Sequence, residues 1–183
     1  AVGGWSYSDG SLCQYAFEKA TNTDAKCRSL ANSILSVVDK YGFDGVDIDW
    51  EYPGSSAAGI KSRPQDTENF TLLLTALRDV LGADAWISVA GTGETSYINS
   101  VEIANIAPII NYFNLMAYDF TAGETGPGAA KHQANLYPSE LALNNTSIDG
   151  QVNNLIAAGM PSYQILLGIP FYGRYGATDT KTF

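Results

Sequence analysis

The chain has 183 residues, 45% of them hydrophobic, and a mean hydropathy near zero, which is enough apolar material to bury a core and too much for a disordered tail. Nineteen Asp and Glu against ten Lys and Arg give a net charge of −9 with no basic block, so the electrostatic basis for holding nucleic acid or anionic lipid is missing. No apolar run reaches the roughly 18 residues of a spanning helix, which argues against a membrane partner.

In chain order, short apolar runs ending in Gly, Asp or aromatic residues alternate with longer stretches of helical spacing. "AVGGW" (1–5) reads as a strand end. Residues 23–42 read as an amphipathic helix with Leu30, Ile34, Val37 and Val38 on one face and Gly42 as its stop. "FDGVDIDW" (43–50) reads as a strand, with Phe43, Val46 and Trp50 assigned to the core. A helix follows over 63–82, with Pro64 in its first turn, Leu73, Leu77 and Leu81 as its apolar stripe, and Gly82 closing it. Next come a strand "AWISVA", a weaker helix over Ser100 to Ile109, and a strand "YFNLMAYDF". A Gly, Ala and Asn-rich connection runs from Thr121 to Asn145, and a helix at "IDGQVNNLIAAGM" and a strand "QILLGIPFYG" complete the chain.

This alternation indicates βα units on a parallel sheet. A doubly wound dinucleotide fold would want G-x-G-x-x-G after the first strand, and "VGGWSYSDG" does not supply it. A (β/α)8 TIM barrel instead collects chemistry at the C-terminal ends of its strands, where "GGW", "DWEY", "AYDF" and "PFYGR" sit. A closed barrel takes ~250 residues, so five strands in this length are expected to be an incomplete portion, a single partial domain over residues 1–183.

The segment "YGFDGVDIDWEYPG" gathers four acids. On a strand, Asp47, Asp49 and Glu51 share one face while Val46, Ile48 and Trp50 share the other. Acids converging in a confined barrel interior raise one another's pKa, and Glu51, nearest the open end on the longest stem, is the natural proton donor. Two other readings compete on pattern alone. One is a half-exposed antiparallel strand with its polar residues in water; the other is a calcium loop, for which Tyr52 stands where a glycine is needed. Alternating βα units disfavour the first, because parallel sheets are covered on both faces. Asp44 faces away from the other acids and reads as structural, and His132 is a lone loop histidine outside the chemistry.

"DGVDIDWEYP" resembles the D-G-x-D-x-D-x-E signature of the family 18 glycoside hydrolases, the chitinases. "AVGGW", "NLMAYDF" and "GIPFYGR" resemble that family's other strand-end motifs in order, and "HQANLYPS" resembles fungal-type members. The resemblance implies a TIM barrel covering about strands 3 to 7 and a retaining, substrate-assisted hydrolysis of β-1,4-linked N-acetylglucosamine. In that scheme Glu51 serves as general acid and base, Asp49 orients the substrate's acetamido group, Asp47 holds Asp49, and Tyr118 holds the acetamido oxygen. Trp5, Met116, Asp119, Tyr172 and Arg174 would contact sugar, Arg174 alternatively forming a structural ion pair. For Trp5 and Met116 plain packing is an equal reading from sequence. The implied ligand is chitin or chitooligosaccharide, acted on by a secreted monomer without cofactor or metal.

The resemblance has gaps. Ala1 stands where the family has a serine, and "TAGETGPGAA" where it often has A-G-S-W-D. A non-catalytic chitin-binding lectin and an endo-β-N-acetylglucosaminidase acting on glycoproteins are the alternatives within the same fold; the presence of Glu51 disfavours the first, "WEYP" and "MAYD" the second. The sequons at Asn69, Asn144 and Asn145 suit a secreted protein, whereas the lack of a leader carries no weight in a chain that starts at Ala1. Cys13 and Cys27 allow one disulfide or two reduced thiols.

Overall fold

Five parallel strands lie side by side in the order in which the chain makes them. They are β1 (Val2–Gly3), β2 (Gly45–Asp49), β3 (Trp86–Gly91), β4 (Tyr112–Leu115) and β5 (Ile165–Leu167). The computed structural model describes residues 1–5, 16–121, 131–140 and 146–174. Between the strands run α1 (Ala16–Thr21), α2 (Asp24–Tyr41), α3 (Asp66–Leu81), the single-turn helices α4 (Thr95–Ile98) and α5 (Ile103–Ile106), and α6 (Ile148–Ala157). A doubly wound sheet reverses its strand order at a switch point; this one never does, which is the progression of a (β/α)8 barrel. The described sheet is an open portion of such a barrel, and on its last strand Leu166 and Leu167 are 45% and 51% exposed.

Local chemistry sets the helix limits. The Thr23 hydroxyl accepts from the Lys26 N–H at 3.3 Å to start α2, and Gly42, at φ 68°, ends it by donating to the Val38 carbonyl. The buried stripe of α2 is Cys27, Ala31 and Ile34. Val37, expected on that face, is 48% exposed because the stripe is centred further round the helix. Phe43 is likewise outside the core, resting on the Tyr41 ring at 5.9 Å. In α3 the stripe is Phe70, Leu73, Leu74 and Leu77, and Pro64 precedes the helix instead of occupying its first turn. Asn69 is buried on this face, a poor position for the glycan its sequon suggested; Asn144 and Asn145 lie outside the described residues.

The helix expected over 100–109 is realised only as the single turn α5 (Ile103–Ile106), while α4 (Thr95–Ile98) lies before it. Val101 and Ile103 are both buried, yet positions two apart on a helix point in nearly opposite directions, so one continuous helix could not bury both. Cys27 is a buried free thiol donating to the Thr21 carbonyl at 3.4 Å, so the disulfide reading is not realised; Cys13 lies outside the described residues.

The sheet has two chemically distinct faces. Ile48, Ile87, Val89, Phe113 and Leu115 are fully buried on the helix side. There Trp50, just past β2, stacks on Phe17 of α1 at 5.0 Å and meets Phe70 of α3 edge-on at 5.9 Å. The other face carries Asp47, Asp49, Ser88 and Asn114 into the barrel, so the period-two reading of β2 holds.

Candidate active site

A cleft of about 960 Å³ opens at the C-terminal ends of the strands, lined by Trp5, Asp49, Glu51, Met116, Tyr118, Asp119 and Arg174 among others. Seven of the nine site residues expected from sequence therefore border one cavity. The exceptions are Asp47, which lies deeper, and Tyr172, which flanks the cavity against the Tyr118 ring at 6.2 Å. Trp5 is 48% exposed and Met116 half-buried, and both border the cleft.

The acids form a graded column. Asp47 is the anchored member, its Oδ1 accepting from the Ser88 hydroxyl at 2.6 Å and the Asn114 amide at 2.8 Å. Asp49 stands one pleat nearer the mouth. Burial first, then the Asp47 charge, raise its pKa, while a hydrogen bond to Glu51 pulls it down; its Oδ1 is buried without a hydrogen-bonding partner. Glu51, 7% exposed, is pushed up to about 7, chiefly by burial and then by the neighbouring Asp49 charge. The same hydrogen bond thus acts in opposite directions, favouring a proton on Glu51 over one on Asp49.

Sequence reasoning missed the groups that hold this column. The Tyr52 hydroxyl and the Trp5 backbone N–H both hydrogen-bond the Glu51 carboxyl. Tyr97 packs edge-on against the Tyr52 ring at 5.8 Å. Burial, together with the Asp49 and Glu51 charges, keeps the Tyr97 phenol neutral, with its hydroxyl unpartnered. The backbone of Gly4 donates to the Asp49 carbonyl at 2.7 Å. Gly3, at φ 107°, is obligatory beside it, because a Cβ there would overlap that carbonyl. Ser88 and Asn114 carried a usable signal, being polar positions that alternate with buried apolar ones on β3 and β4. Tyr97 carried none, since it sits on a turn the pattern did not reveal.

On the far wall, Asp119 occupies the left-handed region at φ 60°, one of the few side chains that tolerates it. Arg174 anchors it through Nε at 2.8 Å and a terminal guanidinium nitrogen at 2.6 Å. The Tyr172 hydroxyl also bonds Asp119, and the Arg174 guanidinium lies 5.7 Å from the Tyr172 ring centre. Tyr118 has its phenol pKa raised by burial and then by the Asp49 and Glu51 charges, so it enters the site as a neutral hydroxyl. Asp44 is exposed, its backbone carbonyl accepting from the Trp86 N–H; His132 is exposed as well.

A parallel βα-barrel sheet with a column of buried and half-buried carboxyls at its C-terminal mouth defines a barrel protein whose candidate site lies where such folds carry their chemistry. The sequence profile of glycosyl hydrolases family 18 matches residues 1–182, and the chain belongs to that family. It is 34% identical to Chitinase A1 of Niallia circulans over 95% of its length, spanning 26% of that protein. It is also 34% identical to Endochitinase 1 of Metarhizium robertsii, again over 95% of its length and 40% of that protein. Among solved structures it resembles the chitinase domain of the spore coat protein CotE from Clostridium difficile, with 64% identity and a TM-score of 0.86, covering 88% of this chain and 47% of that one. The chain thus spans less than half the length of each of these relatives.

Proposed function

We propose that this chain contributes the catalytic side of a chitinase, which hydrolyses β-1,4-linked N-acetylglucosamine with retention of configuration. The supporting observation is Glu51: a carboxyl 7% exposed at the cleft mouth, with its pKa at about 7 and its partner Asp49 kept the more acidic of the two by their shared bond. A general acid must carry its proton at working pH, and this one does so across mildly acidic conditions.

Glu51 donates that proton to the glycosidic oxygen as the C1–O bond breaks. The substrate's own acetamido oxygen closes on the anomeric carbon, giving an oxazolinium ion, so no second enzyme carboxylate is needed as nucleophile. Asp49 takes the acetamido N–H and offsets the developing positive charge, and its unpartnered Oδ1 is free for that bond. Tyr118, a neutral hydroxyl bordering the cleft, holds the acetamido oxygen in line. Glu51, now ionised, then draws a proton from water, which adds to C1 and restores the sugar with its original configuration. Asp47 positions Asp49 through a carboxylate fixed by Ser88 and Asn114. Trp5, Met116, Asp119, Tyr172 and Arg174 shape the sugar-binding walls, with Arg174 acting through its ion pair to Asp119.

A lectin reading has no use for a proton-holding Glu51, and the chitinase names of the relatives favour turnover. An insoluble polymer must be met outside the cell, which places the enzyme among secreted proteins. The test is release of a chromogenic group from a chitooligosaccharide by the protein and by Glu51→Gln, with the anomer of the first product read by NMR. Loss of activity in the variant and β-anomer first are expected. Undiminished activity, or α-anomer first, would sink the mechanism.

A further inference from the structure

The loop that follows Glu51 is held at both ends by one buried carboxylate. Asp66 opens α3 and is fully buried; its Oδ2 accepts from the Arg63 N–H at 2.7 Å, and its own N–H donates to the Arg63 carbonyl at 3.0 Å. The Gly54 N–H hydrogen-bonds the same carboxyl. Residues 54 and 63 are thereby tied to one side chain, which closes the loop between them at its base. Gly54 stands two residues after Tyr52, whose hydroxyl bonds Glu51, and Pro53, Gly54, Ser55 and Ala57 border the cleft. The Arg63 guanidinium lies 3.6 Å from Asp66 Oδ1 and reaches on to α1, donating to the Glu18 carbonyl at 2.8 Å. The Glu18 carboxylate is 3.3 Å from Arg63 Nε, and its neighbour Phe17 is the ring that stacks on Trp50.

An acid in the first turn of a helix favours that helix equally well from the surface, and taking a carboxylate out of water costs stability that one ion pair seldom returns. What full burial supplies is a fixed acceptor for the backbone on either side of the loop. We propose that Asp66 is a positioning residue for the hydrolysis, holding the loop after β2 so that the Tyr52 hydroxyl stays on the Glu51 carboxyl. The inference rests on the chitinase reading for its effect on turnover, whereas the placement of Tyr52 is read on Glu51 itself. The Tyr52 bond favours the ionised form of Glu51, so a loosened loop raises the Glu51 pKa. The other titratable groups facing Glu51 are Asp49, Tyr97 and Tyr118, on β2, on α4 and beyond the end of β4.

The test is the pH midpoint of the Glu51 carboxyl band in infrared difference spectra, each protein minus its Glu51→Gln counterpart, together with kcat on a chromogenic chitooligosaccharide. Asp66→Leu keeps a branched side chain without an acceptor, and Asp66→Asn keeps one acceptor oxygen and serves if the leucine variant does not fold. The midpoint is expected to rise by about half to one pH unit in Asp66→Leu, the size of one hydrogen bond, and by less in Asp66→Asn. Over the same series kcat should fall about three- to tenfold. Tyr52→Phe should raise the midpoint by a similar amount, and an Asp66 substitution added to it should raise it no further. Arg63→Met keeps the backbone N–H, so it should lower stability in urea and leave the midpoint in place. An unmoved midpoint in the folded Asp66 variants, or a further rise when they are combined with Tyr52→Phe, overturns the inference and leaves the chitinase reading standing. The expected midpoints in a protein that hydrolyses nothing overturn the chitinase reading instead.

Discussion

The two ends of the parallel sheet are built on opposite principles. At the N-terminal end Arg78 of α3 is saturated: its guanidinium donates to the carbonyls of Gly82, Ala83, Ala85 and Ile109 and to the Asn111 side chain. Asn111 Oδ1 in turn accepts from the Ile87 N–H at 2.9 Å, and Trp86 stacks on Tyr112 at 5.3 Å. At the C-terminal end polar groups are left wanting, with Asp49 Oδ1 and the Tyr97 hydroxyl buried and unpartnered. One end closes the strands over satisfied groups, which stabilises them. The other gathers like charges and open valences, which destabilises the free protein and leaves those groups available to substrate.

The sharpest way to break this contrast is Glu51→Gln. General acid–base catalysis contributes about 10²- to 10⁴-fold, so kcat should fall by that order while ligand binding persists. The same change should raise stability above pH 7. A carboxyl whose folded pKa is lifted from 4.5 to about 7 binds more protons folded than unfolded, so stability declines as pH rises through that window. Removing the group flattens the decline, by up to about 3 kcal/mol, as read by urea unfolding at pH 4 and pH 8.

Arg78→Met tests the opposite end. Several carbonyls lose a charged donor together, and a loss of about 3 kcal/mol in urea unfolding is expected, with the pH midpoint of activity unmoved. A shifted pH profile would show that the two ends are not separable. Asp49→Asn removes the second-largest cause of the raised Glu51 pKa, so the alkaline limb of residual activity should move down by about one pH unit. Trp86→Leu, at an exposed stack, should have the smallest effect, about 1 kcal/mol of stability and no change in kcat.

The sequence made one end far more readable than the other. Alternation over "VDIDWE" shows that Asp47, Asp49 and Glu51 share a face, and strand spacing alone carries that inference. Helices α2 and α3 were legible for the same reason, since apolar periodicity over four turns leaves little choice. What supports the acids comes from distant segments: Ser88 and Asn114 reach Asp47 across 41 and 67 residues. A period-two pattern names the face on which such residues lie, and only the register of three strands brings them to one oxygen. The saturation of Arg78 was invisible as well, because helix-stripe reasoning treats a charged residue in the last turn as solvated. Hydrogen-bonded Glu94 and Gln151 lie 57 residues apart, one just before the short turn Thr95–Ile98 and the other on a later helix.

The central claim is that Glu51 holds its proton near neutrality. Infrared difference spectra of the wild type minus Glu51→Gln, recorded across pH 4 to 9, read it directly through the C=O stretch of a protonated carboxyl. A band present at pH 6 that disappears with a midpoint near 7 is predicted. A band already lost by pH 5 would mean that Glu51 is an ordinary carboxylate and would contradict its role as the acid.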